Sequence, residues 1–137
     1  MANGFNAPGV AQPVGIYSSA AWQPTGRVLH LSGQVAQAED GSLVGAGDIV
    51  LQTRQVLTNL QTVLASVGGT MADIQKVTTF VTDLSRLAEM RAVLAEFLPT
   101  PYPASTLTQV AALVRPEYLI EIEAVAVIPE ERAPERA

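Results

Sequence analysis

Residues 103–127, PASTLTQVAALVRPEYLIEIEAVAV, constrain the fold most, because short polar residues there alternate with aliphatic ones in two strand-like runs. Successive strand side chains point to opposite faces of a sheet, so Glu121 and Glu123 project from one side and Ile120 and Ile122 from the other. That pattern belongs to a sheet with one buried face. It also mounts two carboxylates on a rigid element, where one is a candidate general base.

The remaining punctuation supplies the other elements. Residues 27–33 (RVLHLSG) read as a strand with Val28, His30 and Ser32 on one face and Leu29 and Leu31 on the other. Glu39-Asp40-Gly41-Ser42 carries hairpin-turn chemistry, which predicts a short excursion over residues 34–43. Over residues 48–67, Val50, Thr53, Leu57, Leu60, Leu64 and Val67 fall at spacings of three and four and predict a helix that stops at Gly68-Gly69. The β-branched run 74–82 predicts a strand. Ser85 is the expected N-cap of a second helix over 86–98 with Leu87, Met90, Leu94 and Phe97 inward. Pro101 and Pro103 then break the chain before the last two strands.

These elements predict an α+β protomer, a mixed sheet of about six strands with two helices packed on one face. Residues 1–13 read as an irregular lead-in, 14–128 as one domain and 129–137 as a mobile tail. The helices cover one face of the sheet only. The other face, expected to be lined by Val, Ile and Leu, must then be buried by further copies of the chain. A composition of 48% hydrophobic and 15% charged residues points the same way, since a monomer of 137 residues needs more charge to cover its exterior.

Composition also excludes function classes. A formal charge of −5 with eight scattered Lys and Arg predicts no nucleic-acid partner, because a phosphate-tracking surface needs a basic stripe. The absence of cysteine removes disulfides, thiolate nucleophiles and cysteine metal sites. With a single histidine, no metal centre is expected. No apolar run approaches the ~20 residues that cross a bilayer, and no basic segment precedes an apolar core at the N-terminus. A cytoplasmic protein with no membrane partner and no cofactor is the expectation.

Several segments, in order, resemble one family. They are GIYSSA at 15–20, LSGQV at 31–35, the run from Asp48 to Leu84, MRAVLAEFL at 90–98, PAS at 103–105, QVAAL at 109–113 and IEIEAVAV at 120–127. Together they resemble the reactive-intermediate deaminases, RidA-like proteins also called the YjgF/UK114 or endoribonuclease L-PSP family. The resemblance implies a chorismate-mutase-like protomer, a homotrimer with small-molecule pockets between subunits, and cofactor-free hydrolysis of enamines or imines to a keto acid and ammonia. By resemblance, Tyr17 is the pocket tyrosine, Ser32 and Gly33 form the substrate turn, and Glu121 positions or activates the attacking water. The family's substrate-binding arginine is replaced by Ser105, an asparagine of the second helix by Arg91, and the residue two after the missing arginine is Leu107. A serine hydroxyl cannot replace the bidentate fork of a guanidinium, so the standard 2-imino acids are not the expected substrates.

Each candidate has a plainer alternative. Glu121 is a general base or a solvated strand glutamate, and Tyr17 a pocket donor or an interface tyrosine. His30 is a core or interface histidine or a proton carrier facing a cleft. Arg91 is a cation moved from strand to helix, or a surface arginine paired with Glu89 or Glu96. Ser105 has no base beside it and is not read as a nucleophile; it enlarges the space the arginine leaves. The functional expectation is a RidA-like hydrolase adding water to an imine, enamine or related metabolite, with Glu121 and Tyr17 catalytic and Ser32, Gly33, His30, Arg91, Ser105 and Leu107 around the ligand. The alternative is a non-catalytic, ligand-binding or regulatory trimer. Ribonuclease activity is disfavoured by the acidic composition and the lack of a histidine pair.

Overall fold

Within residues 2–135, which the computed structural model describes, the chain forms β1 (Asn3–Phe5), β2 (Ala20–Trp22), β3 (Arg27–Gln34), α1 (Ile49–Ala65), β4 (Ile74–Val81), α2 (Leu87–Phe97), β5 (Ala104–Gln109) and β6 (Ile120–Ile128). The strands divide between two sheets. β1 and β2 make a small antiparallel ribbon, and the main sheet runs β3-β6-β4-β5. β6 pairs antiparallel with β3 and β4, whereas β5 lies parallel to β4. A parallel neighbour cannot be reached by a tight turn, so α2 is the crossover that carries the chain from β4 to β5.

Helix α1 begins where the Asp48 carboxylate accepts a hydrogen bond from the Leu51 N–H at 3.0 Å. It ends where Gly68, at φ +78°, lets the Gly69 N–H reach the Leu64 carbonyl at 2.8 Å. Between them Val56, Leu57, Leu60 and Leu64 are essentially removed from water, each worth about 1.5–3 kcal/mol. Val50 and Val67, the ends of the predicted stripe, are only half-buried, and Gln52 is fully buried instead. The Gln52 amide accounts for that position: its nitrogen donates to the carbonyls of Gly45 and Glu117, and its oxygen accepts from the Leu119 N–H at 2.8 Å. It thereby pins the chain just before β6.

Both helices share one core with a single face of the main sheet, where Ile120, Ile122, Ala124, Val77 and Val81 meet Leu57, Leu60, Met90 and Leu94. The opposite face is not the uniformly aliphatic surface expected. It carries Val28, His30, Ser32, Lys76, Thr78, Phe80, Glu121, Glu123 and Val125, none of them fully buried, together with the buried Val127. Alternation put most of the large aliphatics under the helices and left a mixed face of charge, hydroxyls and a few apolar side chains outside.

Three further expectations are corrected. The second helix starts one residue later than predicted and Ser85 does not cap it. Asp83 opens a short 3-10 turn, Leu84–Arg86, by accepting from the Ser85 N–H at 2.8 Å, and the Ser85 hydroxyl donates to the same carboxylate. The irregular lead-in contains β1, held by an Asn3 N–H bond to the Gln75 side chain, with Phe5 stacked on Trp22. The tail expected to be mobile is docked through residue 134: Arg132 forks onto Asp73 at 2.7 and 2.9 Å and donates to the Gly68 carbonyl, and Arg27 donates to that of Pro134. Residues 136 and 137 lie outside the described residues. Burial pushes the Asp73 carboxyl up, but the Arg132 bonds and the Thr70 N–H outweigh it and hold the group below the ordinary aspartate value.

Candidate functional site

Glu121 stands on the open face at a break in the β3–β6 ladder. Leu31 pairs with Ala124 and Gln34 with Ile122, so Ser32 and Gly33 together oppose Glu123 alone. Such a bulge bends the strand and re-aims nearby side chains. Gly33 is where the carboxylate rests: a Cβ there would lie 2.3 Å from Glu121 Oε1. Glu121 is half-buried, and among the described residues neither of its oxygens accepts a hydrogen bond. A carboxylate with free lone pairs beside a bare backbone can hold a water and take its proton.

His30 and Ser32 share this face and are exposed, so His30 is not a core histidine. With Lys76, Thr78, Glu123 and Val125 it lines a shallow hollow of about 200 Å³. That polar hollow escaped the sequence reading, although alternation along β3, β4 and β6 would have aligned its members once the strand order was known.

Tyr17, Arg91, Ser105 and Leu107 gather elsewhere, in a cleft of about 350 Å³ between α2 and β5. β5 pairs Ser105 with Val77 and Leu107 with Thr79, which puts both on the helix-covered face. Tyr17 is brought there by a short seam. Ser18 forms a parallel bridge to Ala104, its N–H donates to the Pro103 carbonyl at 2.9 Å, and its hydroxyl donates to the Tyr102 carbonyl at 2.6 Å. Gly4 permits the seam, since a Cβ there would sit 2.1 Å from the Tyr102 oxygen. Arg91 descends from α2, and a Cβ on Gly15 would come within 3.3 Å of its guanidinium. Gly15 and Ile16 belong to the same motif as Tyr17, and their part in the cleft had no signature beyond that adjacency.

The surface-pair alternative for Arg91 does not hold. Glu89 is taken by Arg86 and Glu96 by Arg54, and Arg91 makes no ion pair or hydrogen bond among the described residues. The predicted site is therefore split: Glu121, Gly33, Ser32 and His30 lie on the open face, and Tyr17, Arg91, Ser105 and Leu107 in the helix-side cleft. A larger groove of about 680 Å³, between the C-terminal ends of α1 and α2, has only one titratable lining residue, Glu96, which is already paired. Among the described residues no cluster of three or more His, Asp or Glu is placed to hold a metal, and no helix is long and apolar enough to cross a membrane.

This arrangement defines a class: a small α+β protomer with half of its candidate chemistry on each side of one sheet. Residues 6–128 match the model of the Endoribonuclease L-PSP family, and the chain belongs to that family, the RidA-like or YjgF/UK114 proteins. It is 37% identical over 121 residues to a RutC family protein of Pyrococcus horikoshii, covering 88% of this chain and 91% of the relative. Among solved structures it is similar to a protein of unknown function of the conserved Rid family from Yersinia pestis, at 38% identity and a TM-score of 0.86, covering 93% and 98% of the two chains. It is also similar to RidA from a Psychrobacter species, at 31% identity and a TM-score of 0.69, covering 93% and 97%. The chorismate-mutase-like fold expected from the sequence is the fold observed.

Proposed function

We propose that the chain works as a homotrimer that adds water to the C=N bond of an imine, or of the imine tautomer of an enamine, in a small metabolite. One observation carries this reading. Glu121 and the cleft around Arg91 and Ser105 lie on opposite faces of one protomer's sheet, so a second copy is needed for them to act on one molecule.

Glu121 takes a proton from water while the water oxygen attacks the imine carbon, and delivers that proton to the nitrogen to give a carbinolamine. The carbinolamine then collapses as its hydroxyl proton passes through Glu121 to the amino group, the C–N bond breaks, and the carbonyl and ammonia are released. Backbone groups near Gly33 and Leu107 orient the ligand, Tyr17 closes the pocket, and no cofactor enters the balance. The ribonuclease implied by the family's description is disfavoured by the net charge of −5 and the lone, exposed histidine.

The test is ammonia release from freshly generated imines and enamines, with sedimentation of the same preparation. A trimer is expected, with release from aliphatic imines that the Glu121→Gln variant loses. 2-Iminopropionate should turn over more slowly than with a relative bearing arginine at the position of Ser105, because a serine offers no guanidinium there. A stable monomer, or turnover indifferent to Glu121→Gln, sinks the reading and leaves the binding protein in its place.

A further inference from the structure

We propose that Arg91 is the anion anchor of the helix-side cleft, and that the cleft takes a monocarboxylate with a branched or extended aliphatic body. This rests on the water-addition reading for the ligand's fate, but not for its binding.

The charge balance of the helices leads to the anchor. Arg54, Arg86 and Arg132 each hold a carboxylate, while Arg91 has none among the described residues. Arg115 is also without a partner among them, but it is exposed on a loop where water solvates it. Arg91 is half-buried, lies against the Gly15 backbone, and lines a cleft in which no Asp or Glu takes part among the described residues. A half-buried guanidinium without a counter-ion favours an incoming anion, and its planar fork matches a carboxylate. One cation suits one negative charge. The Tyr17 and Ser105 hydroxyls can add only neutral hydrogen bonds.

The rest of the lining sets the body of the ligand. Val77, Leu94, Leu98 and Leu107 form the walls, and about 350 Å³ is at the small end of ligand sites. Because the cation comes from α2 and Ser105 is small, a carboxylate held by Arg91 leaves the β5 side free for aliphatic carbons. Each added methylene should then tighten binding about 3- to 4-fold until the cleft is full.

The experiment titrates the intact protein with acetate, butanoate, 3-methylbutanoate and 4-methylpentanoate, and with the corresponding neutral amides, by calorimetry. Saturable binding that strengthens along the carboxylate series is expected, with the amides about 10-fold weaker or worse. Arg91→Gln should lose about 10- to 100-fold with its unfolding midpoint unchanged, Arg91→Lys less, and Arg115→Gln about 2-fold at most. Gly15→Val, which crowds the guanidinium without removing it, gives a second handle should Arg91→Gln not fold. Equal binding of acids and amides, indifference to Arg91→Gln, or no saturable binding of any acid overturns the proposal. Wild-type turnover separates the two readings. Carboxylate affinity in a wild-type protein that releases no ammonia from any imine keeps the anchor and removes the water addition.

Discussion

Two carboxylates, Asp73 beyond α1 and Glu121 on β6, occupy opposite chemical situations in one small domain. Asp73 is fully buried and saturated with donors: both terminal guanidinium nitrogens of Arg132 and the Thr70 N–H. Glu121 is half-buried, rests on Gly33 and accepts from nothing among the described residues. A carboxylate whose lone pairs are all committed can only hold the fold. One whose lone pairs are kept free, on an element too rigid to let it wander, is available for chemistry.

Breaking the comparison at Glu121 should have the largest effect. Glu121→Gln is expected to cost about 100-fold or more in imine turnover, with little change in urea unfolding, because no described hydrogen bond is lost. A comparable loss of stability would move Glu121 into the class of Asp73. Arg132→Ala should do the reverse, lowering unfolding free energy by about 1–3 kcal/mol, discounted for the arginine's partial exposure, with turnover per folded molecule unchanged.

The acid limb sharpens the contrast further. The folded-state pKa of Asp73 lies below its unfolded value, so its stabilisation is complete above the ordinary aspartate range near ~4 and is lost as pH falls through the lower folded value. Unfolding measured from neutral pH into that range should show a slope that flattens in Arg132→Ala. Gly33→Ala is the smallest perturbation. Its backbone is not in the left-handed region, so stability should move by no more than about 1 kcal/mol. The new Cβ, 2.3 Å from Oε1, must displace Glu121, and a loss of about 10-fold in turnover is expected. Full activity in that variant would show that the resting place of the carboxylate is immaterial.

What could be read without coordinates follows distance along the chain. The α1 stripe and the alternation of Ile120, Glu121, Ile122 and Glu123 are periodicities within one element, and they reappear as buried and open faces. The start of α2 was misread because Ser85 and Asp83 both have N-cap chemistry, and only the backbone decides which side chain accepts. The tail was misread for a different reason. Its Pro- and charge-rich composition is that of a solvated end, yet Arg132 meets a carboxylate 59 residues earlier in the chain.

The candidate site shows the same division. Residue identities alone marked Glu121, Gly33, Tyr17, Arg91 and Ser105, because a carboxylate, a bare turn, a phenol and a displaced cation can be recognised wherever they sit. They could not reveal that these residues occupy two faces of one sheet, or that Arg91 lacks a partner among the described residues with Glu89 and Glu96 so near in sequence. Face is set by strand register and pairing by packed helix geometry. Both depend on contacts between distant segments, whereas side-chain chemistry and local periodicity are written residue by residue.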